Sequence, residues 1–341
     1  MNKKRVIRLL ILLVLVVCFI FLDLIIYGAR QLYGQLSIIY SARPNEEYLA
    51  DPAVSDAWKE NIRLIDVVRD YAVDSLRLSD TDNYTEIYDQ EGQPVLWVVT
   101  ACEPYQFQPY EWSFPVLGSV PYKGFFKYKY AEKEAQKLKD KGLDVSIRTV
   151  NGWSTLGWFK DPILSNMLDR NTGDVADLII HELVHATIFV KDSVEFNENL
   201  ASYIAEQGAL KFLEEAYGRS SAEYEGYVRE NEDQIKFVDH MLRGYRQLDS
   251  LYLDEAFAGS AVKHEMKSTM IDEIMQSLDT LNLHDGDYLS NLVGYTPNNA
   301  YFMSFRRYRS QRPVLDSIYH QQFGGNLVSF VNYLKDKHGK L

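Results

Sequence analysis

Two histidines stand four residues apart in His181-Glu182-Leu183-Val184-His185, and Glu198 follows after twelve residues within Asn197-Glu198-Asn199-Leu200-Ala201. On a helix, residues four apart stack on one face, so both imidazoles can point at one ion. A catalytic zinc takes three protein ligands and keeps a fourth position for water. Glu198 is the natural third ligand if a second helix runs back antiparallel to the first. The gap allows that reversal, and Lys191-Asp192-Ser193 interrupts the apolar pattern of residues 186–190 with a turn-forming cluster. Glu182 lies about 100° around the helix from His181, off the ion-binding face. It is placed to take a proton from the ion's water and to pass it to a leaving amine. One Zn2+ per chain is the expected cofactor.

The flanking sequence must build that helix pair. Thr172 or Asp174 can cap the first helix, which is expected to run to about Val190, and the second is expected to reach about Tyr217. Residues 57–76 repeat Leu, Ile, Val and Tyr at helical spacing, and residues 130–141 follow the same period with Gly142 as a stop. Residues 95–99 and 143–150 read as strands, with a Pro- and aromatic-rich loop at 102–121 between them. From 223 to 283 the pattern is amphipathic helix, broken near Asp254 and at Gly259-Ser260. Cys102 is read as a small buried hydrophobe.

The amino terminus places Lys3, Lys4, Arg5 and Arg8 before an uncharged run from residue 9 to 22, and the apolar pattern resumes after Asp23. Residues 7–27 amount to about the twenty needed to cross a bilayer. Positive charge on the near side predicts a single-pass anchor in a bacterial inner membrane, with the catalytic part on the outer side. A cleaved signal competes, since the uninterrupted core is short, but Tyr27 would fall three residues before a cleavage at Ala29. Lipidation at Cys18 meets bulky neighbours in Val17 and Phe19. The net charge of −12 excludes nucleic acid as a partner, because phosphate binding needs a basic face. Oligomeric state is not legible.

The two metal motifs together resemble the gluzincin metallopeptidases. Asn197-Glu198-Asn199-Leu200-Ala201-Ser202-Tyr203 is similar to the second motif of the aminopeptidase N type. Trp153-Ser154-Thr155-Leu156-Gly157-Trp158-Phe159-Lys160-Asp161-Pro162, Phe196-Asn197-Glu198 and Val120-Pro121-Tyr122-Lys123-Gly124-Phe125-Phe126 resemble a bacterial family of predicted aminopeptidases, over a stretch from near residue 30 to at least residue 310. The resemblance implies a zinc peptidase acting on peptides or proteins, most simply as an aminopeptidase. An endopeptidase acting on membrane or exported proteins and a zinc-stabilised, non-catalytic envelope scaffold are the alternatives. It also implies an edge strand that pairs with substrate beside the metal helix, for which Trp153, Ser154 and Gly157 are candidates. Where thermolysin-like members carry an Asp four residues after the Glu ligand, this chain has Ser202, which leaves Glu206 as a candidate supporting carboxylate and Asn197 as a neighbour of the ligand. Tyr301, Tyr295 and Arg306 are candidate oxyanion donors. Glu195, Asp161 and Glu206 are the acidic groups available to anchor a substrate amine.

The expected architecture is α+β and mostly helical. A gluzincin-type active-site helix pair lies with a small mixed sheet, preceded by an N-terminal transmembrane helix. The expected divisions are 1–28 for the cytoplasmic tip and anchor, 29–90 for a helical lobe, 91–220 for the peptidase core, and 221–341 for a helical region closing the cleft.

Overall fold

A computed structural model describes residues 3–5, 12, 16, 19–115, 118–150, 160–191, 193–292, 294–309 and 311–339; of residues 307–309 only the backbone is described. Helix α1 (Leu22–Ser41) leads into the short β1 (Arg43–Pro44) and α2 (Asn45–Ala50). The long α3 (Asp56–Asp74) starts where Ser55 accepts the Trp58 N–H at 3.2 Å, and it buries Ile62, Ile65, Val68 and Ala72. That spacing is the apolar stripe expected from the sequence.

Three small sheets follow. In the first, β2 (Glu86–Tyr88) pairs antiparallel with β1 and parallel with β8 (Ile163–Leu164), with Ile87 opposite Ile163. In the second, β3 (Trp97–Cys102) is the centre strand, antiparallel to both β6 (Lys123–Phe125) and β7 (Asp144–Thr149), with Val99 opposite Ile147. The aromatic-rich stretch expected to be a loop instead forms the hairpin β4 (Trp112–Phe114) and β5 (Gly118–Val120). Its Trp112 is buried and donates from Nε1 to Glu134 at 2.8 Å. Cross-strand pairing was hidden there because the strands are three residues each, too short to show alternation. Helix α4 (Tyr128–Lys139) covers the β3 sheet with Ala131, Ala135 and Leu138, and Gly142 follows at φ +81°. Cys102 is buried, its thiol pushed up to about 12 by burial.

The metal motifs lie on α5 (Thr172–Thr187) and α6 (Val194–Tyr217), which pack directly on one another. Gly208 permits this approach, since a Cβ there would sit 2.9 Å from Leu76 and 3.1 Å from Ile180. Helix α7 (Ala222–Leu253) ends at Asp254, which caps the short α8 (Glu255–Gly259) through the Ala256 N–H. The remaining helices are α9 (Lys263–Gln276), α10 (Asn299–Arg309), α11 (Arg312–Phe323) and α12 (Leu327–His338). The main core gathers α3, α5, α6, α11 and α12, so the helix pair is enclosed by apolar side chains on its inner face. A polar junction joins the β3 sheet to the C-terminal helices: Asp144 accepts from Lys267 Nζ and from the Asn299 N–H at 2.9 Å.

The expected transmembrane helix, and with it the inner-membrane placement and the membrane as a partner, is corrected. Among the described residues no helix is long and apolar enough to cross a membrane. Much of the expected span, residues 7–11, 13–15, 17 and 18, lies outside the described residues. From Leu22 onward, α1 carries Asp23 and Arg30 and docks on the body: the Tyr27 hydroxyl donates to the Gly124 carbonyl at 3.1 Å, Arg30 stacks on Tyr130, and Ile38 is buried. Apolar composition by itself does not make a span: Asp23 interrupts the run, Phe19, Ile20, Leu22 and Ile25 are exposed, and the contacts with the body are made from Tyr27 onward.

Asp233 on α7 fastens the segment after α9. Its buried carboxylate accepts the His284 N–H at 2.8 Å and the Asp285 N–H at 2.9 Å, with Lys236 Nζ at 3.5 Å. Burial works to raise its pKa, yet these donors hold it below the ordinary carboxylate value. We expect Asp233→Ala to cost about 2 kcal/mol in chemical denaturation, because two backbone donors lose a charged acceptor. That contribution is present above the ordinary carboxylate pKa and is lost as pH falls through the lowered native value. An unchanged denaturation midpoint at neutral pH would contradict it.

Candidate metal centre

Helix α5 begins at Asn171, whose Oδ1 accepts the Asp174 N–H at 2.9 Å, so the cap is one residue earlier than Thr172. The helix buries Val175, Ala176, Ile179, Ile180, Leu183 and Val184, which turns Asp177, His181 and His185 together to another face. Asp177 accepts the Tyr227 hydroxyl at 2.5 Å, tying that face to α7. The helix ends at Thr187, three residues before the expected stop, and the chain reverses into α6.

The reversal brings Glu198 to the histidines. His181 Nε2 and His185 Nε2 are 3.1 Å apart, and Glu198 Oε2 lies 3.6 Å from the first and 3.7 Å from the second. One ligand atom from each of the three residues lies within 4.8 Å of the others, the arrangement of a site that could hold a metal ion. Ligands at tetrahedral positions around zinc, each about 2.0–2.1 Å from it, are separated by about 3.3 Å. The observed triangle fits that face. The three side chains keep 16–23% of their surface exposed, so the trio is reachable from one side.

Charge within the site is shared. Burial resists charging of His181, but Glu198, Glu182 and Asp177 together raise its pKa above the ordinary value. Burial acts on Glu198 the other way, and the hydrogen bonds and charges of the two histidines hold its carboxyl well below the usual range. Glu182 is pushed up chiefly by burial, with the histidine pair opposing and Glu198 and Asp161 adding to the rise. Of Glu182 and Glu198, Glu182 is thus the one whose surroundings favour holding a proton.

Supporting residues separate into those the structure gathers here and those it places elsewhere. Asn197, buried, uses its amide to hold both backbone groups of Val190: Oδ1 accepts the N–H at 2.9 Å and Nδ2 donates to the carbonyl at 2.8 Å. Asn199 links α6 to the start of α11, accepting the Gln311 N–H at 2.9 Å while its amide donates to the Glu195 carbonyl at 2.8 Å. Ser202 is half-buried one turn beyond Glu198. Glu206, buried two turns beyond, forms a two-pronged pair with Arg312, at 2.6 Å and 3.2 Å. Arg306 on α10 reaches Glu195 at 3.5 Å, one turn before Glu198, and the Tyr245 hydroxyl at 3.4 Å. Tyr295 and Tyr301 meet each other edge-on, ring centroids 5.2 Å apart, and Tyr301 also meets Phe305 in the cluster between α7, α9 and α10. Burial pushes the Tyr301 hydroxyl up to about 12. Trp153, Ser154 and Gly157 lie outside the described residues.

Two participants had no legible signal. Tyr84 is buried at φ +63°, its N–H donating to the Asp161 carbonyl at 2.7 Å, and Glu182 and Asp161 contribute to its charge environment. It sits in a polar turn nearly one hundred residues before the helix pair. Arg312 carries no local sign of this role, because its partner Glu206 is 106 residues away in the chain.

Comparison with the curated proteins and with the solved structures found no match. The family described as "Putative aminopeptidase" matches residues 26–339, a stretch that contains the trio and every element around it. The chain belongs to that family.

Proposed function

We propose that this protein is a zinc-dependent peptidase that removes residues from the amino end of peptides, with Glu182 as general base. The observation that carries the reading is the His181, His185, Glu198 triangle, whose edges of 3.1, 3.6 and 3.7 Å fit zinc and which stays accessible from one side. A bound zinc would supply a Lewis acid that polarises the scissile carbonyl and lowers the pKa of water. Glu182, adjacent to His181 in the chain, takes a proton from the attacking water and delivers it to the nitrogen of the departing amine. Burial raises its pKa, which favours the protonated form it passes through between the two transfers. Asn197 holds the connector that carries Glu198, and Arg306, beside Glu195 at the start of α6, is the oxyanion donor best connected to the ligand helices. Glu206 is engaged by Arg312 and Glu195 by Arg306, so a substrate ammonium would compete with a guanidinium at either carboxylate.

Matched peptides with free and acetylated amino termini test this on zinc-loaded protein. We expect stepwise loss of single residues from the free peptide and none from the acetylated one. Internal cuts in both would make the protein an endopeptidase. Silence in both with zinc bound would remove the peptidase reading.

A further inference from the structure

We propose that residues 335–339 form a strap that clamps the last turn of α5 and thereby positions His185; the role rests on the metal-centre reading above. His185 lies two residues before the end of α5, in the turn whose carbonyls lack partners within the helix and which frays most readily. Three pieces of chain close on that end. Thr187 donates from Oγ1 to the Leu183 carbonyl at 2.7 Å and accepts the Ser79 N–H at 2.8 Å. Directly beyond the helix, Ile188 forms an antiparallel bridge with Gly339, and the Phe189 N–H donates to the His338 carbonyl at 3.2 Å. Val190 is then held by Asn197, the residue before Glu198.

The strap is itself anchored. Lys335 Nζ donates to the Arg77 carbonyl at 2.6 Å, in the same turn that reaches Thr187 through Ser79. The His338 ring meets Phe196 edge-on at 6.3 Å, two residues before Glu198. Gly339 makes the tight return possible, because a Cβ there would lie 2.5 Å from the Lys335 carbonyl oxygen. The connector from His185 to Glu198 is therefore gripped at 188 and 189 by the strap and at 190 by α6. Residues that touch no ligand atom thus set the distance between ligands, which is how supporting contacts tune a metal site.

Titration of the full chain with Zn2+ and Co2+, with the visible absorption of bound Co2+ as a report of ligand geometry, tests the strap. We expect Gly339→Ala and a variant ending at Lys337 to bind both ions about ten- to a hundredfold more weakly, with an altered Co2+ spectrum in the folded protein. His338→Phe keeps the carbonyl and an aromatic ring and should match the wild type. Combining Gly339→Ala with Asn197→Ala should lose less than the product of the separate losses, because both act on one connector. Wild-type affinity and spectrum in folded Gly339→Ala protein would overturn the strap alone. Failure of the wild-type chain to bind either ion would overturn the metal centre and the strap together.

Discussion

Replacing Glu182 by Gln is expected to leave zinc binding intact and to lower kcat by at least about a hundredfold, equivalent to about 2.7 kcal/mol of transition-state stabilisation. The separation of the two effects follows from where the side chain stands. The group that could hold a metal ion is His181, His185 and Glu198, and Glu182 is not part of it. Gln matches the size of Glu but has no oxygen basic enough to accept a proton, so the proton of the attacking water has no acceptor of matched strength. Burial pushes the Glu182 pKa up, toward the range in which a carboxyl can both take up and release a proton. Substrate binding does not depend on that proton, so KM should change little. The measurement is zinc content by mass spectrometry beside turnover of a free-amino peptide. A zinc-loaded Gln variant within tenfold of wild-type kcat would remove Glu182 from the mechanism.

Replacing Arg312 by Ala is expected to destabilise the fold by about 3 kcal/mol, the low end for breaking a buried pair. The Glu206 side chain is only 3% exposed, whereas that of Arg312 is 30% exposed, so solvent softens the loss on one side alone. Without the guanidinium, a carboxylate in the wall of α6 must stay desolvated, take up a proton, or draw water inward. Arg312 opens α11, and its two hydrogen bonds fasten that helix to the one bearing Glu198. A paired change to Glu206→Leu with Arg312→Met should recover most of the loss, because it removes both charges and fills similar volume. Chemical denaturation of the two variants beside the wild type checks this. Equal destabilisation of the single and double variants would mean that packing of the Arg312 stem, and not the charge, is what matters.

Local spacing carried much of what the chain declared in advance. The placement of His181, His185 and Glu182 follows from one helical period, and the gap to Glu198 already allowed a reversal. The helices at 56–74, 128–139 and 222–253 and the strands at 97–102 and 144–149 were legible for the same reason, since each is long enough to show its period. Short elements were not: the three-residue strands at 112–114 and 118–120 repeat too briefly to declare themselves.

Only tertiary structure could assign what depends on distant pairs. Apolar composition alone does not say whether a helix meets lipid or protein. The absence of any spanning helix among the described residues sets aside the anchor read from residues 7–27, and the contacts with the body come from Tyr27, Arg30 and Ile38. Glu206 was legible as a possible support for a ligand, yet its engagement by Arg312 depends on how α11 packs on α6. The return of residues 338 and 339 to Phe189 and Ile188 spans some 150 positions, and no periodicity encodes it. Sequence thus determined the residue types and the local geometry that a metal site needs. Packing of separate helices decided how those residues are held, because side-chain partners far apart in the chain become neighbours only when the core closes.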